Sequence, residues 1–154
     1  MTEAPPPRQP EPARSHSSDA RAEAVLALHL IALRRQFEAI RAVFGDESLH
    51  RAREALWALL EITSADLHGR QIALRDLVAQ AEGLLSAPTL SRVVAELEHN
   101  GLLVSDPAPE DSRVKRLRPT ARTWGILTAR ADTAFLEFAG ALGKAEQRIV
   151  PDPT

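Results

Sequence analysis

The sequence predicts a mainly α-helical fold, in which two long amphipathic helices flank shorter helices and a small β-hairpin. Three observations lead to this prediction. Ala and Leu are plentiful and aromatic residues make up only 4% of the 154 residues, a composition typical of helical proteins. Apolar residues recur at steps of three and four near both ends of the chain. Between these segments, two short runs have the alternation of β-strands.

Composition and charge narrow the classes of functional site that the chain can carry. The formal net charge is −2, so any nucleic-acid site has to be a local basic patch. The chain has no cysteine, which excludes disulfides and thiolate catalysis. No apolar run approaches the roughly 20 residues that span a bilayer, and the first residues lack the apolar segment of a signal peptide. We therefore expect a cytoplasmic protein with no membrane partner.

The chain is expected to form one domain after a short tail. Residues 1–19 carry five prolines and almost no large apolar residue, which predicts disorder. Residues 20–150 form the domain. Within it we assign 20–45 and 120–148 to dimerisation helices, and 48–118 to the part that carries the functional site.

Both long helices carry an apolar seam with the a/d spacing of a helix-packing interface. The first seam consists of Leu26, Leu30, Leu33, Phe37, Ile40 and Phe44, and Val25, Ile31 and Val43 widen it. The second consists of Trp124, Leu127, Ala131, Phe135, Phe138 and Leu142 on one continuous helix. A single neighbouring helix would not obviously cover either of these seams. Both seams therefore predict that the chain forms a homodimer.

Three shorter helices are predicted between the seams. The first runs from near Asp46 or Ser48 to about His68, and its predicted buried residues are Leu49, Leu56, Leu59, Leu60 and Thr63. The second covers Ile72–Ala81 and buries Leu74, Leu77 and Val78. Ser86 can cap the third and Pro88 fits its first turn. This third helix, up to Asn100, directs Leu90, Val93, Val94 and Leu97 inward.

The outer face of the third helix has the residue types of a DNA-reading helix. Its outward residues are Thr89, Arg92, Glu96 and His99, flanked by Pro88, Ser91 and Ala95. A helix in the major groove needs small residues at close approach, and polar groups that reach base edges. Arg92 can clamp a guanine or a phosphate, and Glu96 can accept from a cytosine amino group. On spacing alone, a solvated helix face remains the alternative.

A basic hairpin follows this helix. Its predicted strands are residues 102–105 and 114–117, joined by a loop at 106–111. Arg113 stands at the tip, where a cation can reach into a minor groove. Lys115, Arg116 and Arg118 can contact phosphates. Asp111 lies two residues before Arg113, close enough to bond its guanidinium. A charged surface hairpin without DNA contacts is the alternative.

The segment SAPTLSRVVAELEHNGLLVSDPAPEDSRVKRLRPTA resembles the core of the MarR family of winged-helix transcription regulators. Members show a T-x-x-R…L-E…G-L recognition helix and then a P-x-D-x-R wing. The matching residues are Thr89, Ser91, Arg92, Leu97, Glu98, Gly101, Leu102, Pro109, Asp111, Arg113 and Thr120. The resemblance is specific for about residues 70–125, and in element order it extends over 20–145. The sequence departs from the family in predicting one long helix after the wing, where the family often has two.

The resemblance implies a winged helix-turn-helix and a cytoplasmic homodimer, in which each winged helix reads one half-site of a DNA operator. It also implies that Arg113 enters the minor groove and that Asp111 orients it. The alternative is a winged-helix module that binds proteins and not DNA, which Glu96 and Glu98 on the recognition helix would suit.

Neither an enzyme nor a metal site is expected. The chain has no Gly-rich phosphate loop and no G-x-S-x-G sequence, and its histidines lack metal-ligand spacing, so we expect no cofactor. The resemblance implies that a small-molecule effector can bind near the dimer helices. Trp57, with Arg53 and His50, could line such a pocket, although Trp57 fits a position in the core better.

Overall fold

Six helices and three short strands form the described part of the chain, residues 16–46 and 49–149 of a computed structural model. In order they are α1 (His16–Phe44), α2 (Leu49–Leu67), β1 (Ile72–Ala73), α3 (Leu74–Gln80), α4 (Ala87–His99), β2 (Leu103–Pro107), β3 (Lys115–Pro119), α5 (Ala121–Thr128) and α6 (Ala131–Ile149). The predicted tail, residues 1–19, lies outside the described residues as far as residue 15. Its last four residues belong to α1.

The chain divides into two compact units. The larger unit comprises residues 33–134, and the smaller unit comprises residues 1–32 together with 135–154. Of the smaller unit, residues 16–32 and 135–149 are described. Within the described residues, no helix has both the length and the hydropathy needed to cross a bilayer.

Helix α2 supplies the centre of the larger unit's core. Ala58, Leu59 and Ile62 are fully buried there, against α4 and β3. The predicted burial of Leu59 is confirmed, but Leu60 is 46% exposed, so its predicted burial is wrong. Each helical residue turns the side-chain direction by about 100°, which points Leu60 away from the core when Leu59 points into it. The side chain of Leu49 lies outside the described residues.

The sheet is antiparallel in the order β1-β3-β2. Its register pairs Ile72 with Leu117 and Leu103 with Pro119. The two predicted hairpin strands are confirmed with shifted bounds, whereas the prediction that Ile72 begins a helix is wrong. Ile72 and Ala73 extend the sheet, and the Ala73 N–H donates to Asp76 Oδ2 at 2.7 Å. This bond satisfies a free donor at the start of α3, so the helix begins after it.

Helix α4 begins and packs as the sequence predicts. The Thr89 N–H donates to Ser86 Oγ at 3.3 Å, and Pro88 stands in the first turn. The four inward residues, Leu90, Val93, Val94 and Leu97, are buried. The capping bond offsets part of the cost of unpaired N–H groups at the helix start. The core contacts then fix which face of α4 points outward.

Two helices, and not one, follow the wing, so the predicted single helix over 120–148 is wrong. Thr120 caps α5 as predicted, since its Oγ1 accepts from the Thr123 N–H at 3.4 Å. Helix α5 ends at Thr128, whose hydroxyl donates to the Trp124 carbonyl oxygen at 2.7 Å. Such a side-chain bond to the preceding turn tends to bend a helix. Asp132 then lies in the first turn of α6, where a negative charge is favourable.

The first apolar seam is exposed in the first half of α1 and becomes buried near the end of the helix. Ile40 is only 2% exposed and packs with Ala52 and Leu56 inside the larger unit, so its assignment to the dimer interface is wrong. Val43 is also part of the core. An α-helix drifts by about 20° per heptad relative to a strict seven-residue repeat. The drift turns the end of the stripe toward α2, while Leu33 and Phe37 remain about half exposed.

The smaller unit has almost no core of its own. Among its described residues, the buried apolar side chains are those of Ala20 and Ala145. Leu26, Leu30 and Phe135 are 63%, 68% and 71% exposed. Arg148 of α6 forms an ion pair with Glu23 of α1. The large apolar side chains of this helix pair therefore face outward.

Candidate nucleic-acid interface

The outward face of α4 carries every residue that the sequence assigned to it. Pro88, Ser91, Arg92, Ala95 and Glu96 are exposed, and Thr89 is half-buried. The Thr89 hydroxyl lies 2.8 Å from Ser86 Oγ, so it also takes part in the helix cap. Small side chains therefore occupy the first turns of this face, and charged side chains follow.

Arg92 forms two ion pairs in the chain. Its guanidinium lies 3.3 Å from a carboxylate oxygen of Glu96 on the next turn, and 3.3 Å from one of Glu54 on α2. Sequence reasoning missed Glu54, because no pattern links it to a residue 38 positions later. The Arg92 side chain is 43% exposed. Exposed pairs contribute only about 0–1 kcal/mol, so Arg92 can leave them for a stronger partner.

The wing tip is organised by Asp111 through the backbone. The Arg113 N–H donates to Asp111 Oδ1 at 2.9 Å. The predicted bond from Asp111 to the Arg113 guanidinium is therefore wrong. An aspartate readily accepts from the N–H two residues later, because this contact closes a local turn. The Arg113 guanidinium is left exposed, with no hydrogen bond or ion pair to any residue that the structure describes.

The two arginines of β3 are paired with acids of the same wing. Arg116 forms an ion pair with Glu110 and also donates to the Gln71 carbonyl oxygen at 3.2 Å. Arg118 Nε lies 2.5 Å from Asp106 Oδ2. A bond from its own backbone N–H, and then Arg116, hold the pKa of Glu110 below its ordinary value. The hydrogen bond and charge of Asp106 raise the pKa of Arg118.

A groove separates α4 from the wing and extends to α3. Its volume is about 390 Å³. The lining residues are Ala73, Leu74, Arg75, Ser91, Val94, Ala95, Glu98, Ser105, Arg113, Val114, Lys115 and Leu117. The predicted site residues Ser91, Ala95, Arg113 and Lys115 therefore meet at this groove. Arg75 was missed, because one arginine in a short helix is not distinctive in sequence.

A helix-turn-helix, α3 and α4, is thus followed directly by an antiparallel hairpin whose tip lies beside the second helix. The fold is a winged helix-turn-helix. The winged helix places Ser91 and Ala95 of α4 and Arg113 of the hairpin tip around one groove. The other predicted residues of α4, which are Pro88, Thr89, Arg92 and Glu96, do not line it.

Trp57 and Arg53, which the sequence assigned to a possible effector pocket, do not line this groove. Trp57 packs against the main core, partly buried, as its alternative assignment predicted. The Arg53 guanidinium lies 5.7 Å from the centre of the Phe37 ring. The side chain of His50 lies outside the described residues. Within residues 16–46 and 49–149, no group of three or more His, Asp or Glu side chains has a geometry that could hold a metal ion.

Comparisons with known proteins give structural matches alone. No family model and no curated protein matches the chain. The crystal structure of a MarR family transcription regulator matches with a TM-score of 0.49 and 22% identity, over 83% of this chain and 80% of that one. A mutant of S. aureus MepR, bound to an oligodeoxyribonucleotide, matches with a TM-score of 0.40 and 14% identity, over 84% and 83%. YusO from Bacillus subtilis matches with a TM-score of 0.38 and 16% identity, over 81% and 78%.

Proposed function

We propose that this protein is a homodimeric transcription regulator of the MarR type, which binds a double-stranded DNA operator in a sequence-specific manner. The observation that carries the proposal is the juxtaposition of α4 and the wing tip. The outward face of α4 joins small residues to Arg92 and Glu96. The exposed Arg113 lines a groove together with Ser91 and Ala95 of this helix. A helix and a neighbouring cation suit two adjacent grooves of a duplex.

In this proposal α4 enters the major groove. Pro88, Ser91 and Ala95 allow close approach to the duplex, and Thr89 and Ser91 can bond phosphates or bases. Arg92 reads a guanine edge or binds a phosphate, and Glu96 accepts from a cytosine amino group. Their mutual ion pair is exposed, so little stability is lost when both side chains turn to the bases.

Arg113 is proposed to enter the adjacent minor groove. It stands at the tip of the wing, and its backbone N–H is fixed by Asp111. A narrow, A·T-rich minor groove has the most negative potential and attracts arginine. Asp111 thus acts on Arg113 through the shape of the turn, since it holds the backbone from which the side chain projects.

A second copy of this chain is the proposed partner of the smaller unit. In the described part of the smaller unit the buried apolar residues are two alanines, so the helix pair leaves a large apolar surface in contact with water, which is typical of an interaction site. Leu26, Leu30, Phe135 and Leu136 are the most exposed apolar residues of this unit in its described part, and Leu142 is about half exposed. Leu33, Phe37 and Leu127 of the larger unit and Phe138 of the smaller unit remain predicted interface residues, and each is at least partly exposed. A symmetric dimer would cover the same patch on both copies.

A protein-interaction module is the second candidate, and the acids near α4 favour it. Glu54 and Glu96 neutralise Arg92, and Glu110 and Asp106 neutralise two arginines of the wing. These pairs lower the positive potential that attracts DNA. The exposed cations beside the groove favour DNA, since a protein partner does not require them.

Selection of bound duplexes from a random-sequence pool tests the proposed function. We expect enrichment of a sequence with two related half-sites whose centres lie about one helical turn apart, roughly 34–36 Å. A pool that stays random after repeated selection, with measurable binding to none of its members, would favour the interaction module. The prediction of a small-molecule effector is independent of this test and stays a prediction.

A further inference from the structure

The cations on the α4 and wing side fall into two groups. Those in the first group have a partner in the chain: Arg92, Arg116 and Arg118 pair with acids, and Arg122 donates to the Asn100 carbonyl oxygen at 3.0 Å. The side chains of the second group, Arg75, Arg113 and Lys115, form no hydrogen bond or ion pair with any residue in the described ranges, although the charges of Arg75 and Glu110 interact. The second group is therefore the one available to an outside anion.

All three cations of the second group line the groove between α3, α4 and the wing. Glu98 is the one acid among its lining residues, so three positive charges and one negative charge leave the groove with a formal charge of +2. Ser91 adds a hydroxyl donor from α4. The remaining lining residues are apolar or small, which leaves room for a chain to lie against the groove floor.

The geometry of a DNA duplex indicates which part of the DNA would occupy this groove. The major and minor grooves of DNA are separated by a sugar–phosphate strand. A helix in one groove and a hairpin tip in the next must straddle that strand. The space between α4 and the wing tip is the groove that Arg75, Arg113 and Lys115 line. The net positive charge of this groove is complementary to the negative charge of the phosphates.

We propose that this groove holds the phosphodiester strand between the two DNA grooves, and that Arg75 of α3 and Lys115 of the wing contact its phosphates. The inference rests on the proposed DNA binding and adds a residue, Arg75, that the sequence did not assign. It also separates Lys115 from Arg116 and Arg118, which the sequence treated as equivalent.

Arg116 and Arg118 are expected to be weaker phosphate contacts than the unpaired cations of the groove, for an electrostatic reason. Arg118 and Asp106 together are neutral, and so are Arg116 and Glu110. If either arginine turned to a phosphate, its carboxylate would be left unpaired near a polyanion. A neutral pair also displaces few counterions from DNA, and counterion release supplies most of the salt-dependent affinity. Within the chain, these two arginines join β3 to acids of the β2–β3 hairpin.

Salt titrations of DNA binding test the inference with four variants beside the wild type, of which Lys115→Gln removes the groove cation of the wing strand. Arg75→Gln removes one groove cation. It should leave the fold intact, because Arg75 is exposed and lies near a helix start, where a positive charge is unfavourable. Arg41→Gln is the matched control, since it removes one exposed arginine from α1, away from α4 and the wing. The double variant Asp106→Asn/Arg118→Gln removes a paired cation without changing net charge.

We expect Arg75→Gln to lower the slope of log K against log salt by about 0.9 for each occupied half-site, and Lys115→Gln to do the same. Arg41→Gln and the double variant should keep the wild-type slope. If the wild type binds DNA and Arg75→Gln keeps its slope, the groove assignment fails and the proposed function stands. A double variant that loses as much slope as Arg75→Gln would also overturn the assignment. If the wild type binds no duplex at all, the proposed function fails, and the groove assignment fails with it.

Discussion

The guanidinium of Arg92 on α4 lies 3.3 Å from the carboxylate of Glu54 on α2. This contact joins the outward face of α4 to the helix that forms the centre of the core. Both side chains are partly exposed, at 43% and 32%. The pair can therefore orient Arg92 in the free protein, yet water screens it enough for Arg92 to exchange partners in the proposed DNA complex.

A double-mutant cycle measures the strength of this pair. Arg92→Ala, Glu54→Ala and the double variant should give a coupling free energy of about 0.2–1 kcal/mol in denaturant unfolding, as for other exposed pairs. A coupling above about 2 kcal/mol would mean that the pair locks Arg92 in place and that base reading by this residue is costly. Glu61→Ala, which changes another acid of α2, serves as the control in a cycle with Arg92→Ala and should show no coupling.

Asp111 offers a test in which charge and geometry have opposite effects. Asp111→Ala removes the acceptor for the Arg113 N–H, so the turn loosens and DNA binding should weaken although a negative charge is lost. Asp111→Asn keeps a side-chain acceptor and also removes the charge, and it should bind at least as tightly as the wild type. Titrations on duplexes with A·T-rich and G·C-rich flanks measure both. Tighter binding by both variants on every duplex would show that Asp111 does not position Arg113.

Because the apolar seam of α1 is exposed at Leu30 and buried at Ile40, the same substitution should have different outcomes at these two positions. Leu30→Glu places a charge on the exposed part of the seam, so the protein should remain folded and dissociate. Ile40→Glu places it in the core, where an unpaired charge is costly, so the protein should unfold. Light scattering should give twice the 16.8 kDa chain mass for the wild type and the chain mass for Leu30→Glu. A wild-type mass of one chain at micromolar concentration would contradict the dimer.

The Glu110 carboxyl should titrate below its ordinary pKa of 4.5. A lowered pKa in the folded protein means that the contact is present above the unfolded pKa and is lost as the pH falls through the folded value. NMR titration of Glu110 in the wild type and in Arg116→Gln measures the effect. The variant should show a smaller lowering and not an ordinary value, because the bond from the backbone N–H of Glu110 remains. Equal pKa values in both proteins would mean that Arg116 does not contribute.

The sequence was sufficient for the elements whose signals are local. Ser86 and Thr120 are predicted to cap helices, because a Ser or Thr side chain at that position can accept from the N–H three residues later. Both caps are confirmed. The inward stripe of α4 follows from its spacing. The hairpin follows from the alternation of Val114 to Leu117 and from the prolines around it.

The sequence was insufficient where two segments compete for the same residues. Ile72 has the spacing of a helix, but pairing with Leu117 places it in the sheet. Ile40 fits the outer seam by periodicity, but it packs with Leu56 of α2. The partners of Arg92, Arg116 and Arg118 depend on which acids the fold brings near, and a single sequence carries no signal for contacts of that kind.

The affinity ratio between a selected duplex and the same duplex with scrambled half-sites tests the central claim most directly. At one fixed salt concentration near 0.15 M, we expect the wild type to bind the selected duplex at least about 10³-fold more tightly, as specific regulators do. Arg92→Ala should lower the binding free-energy difference between the two duplexes by about 1–3 kcal/mol, because it removes a contact to one base position in each half-site. Equal affinity of the wild type for both duplexes would contradict sequence-specific DNA binding.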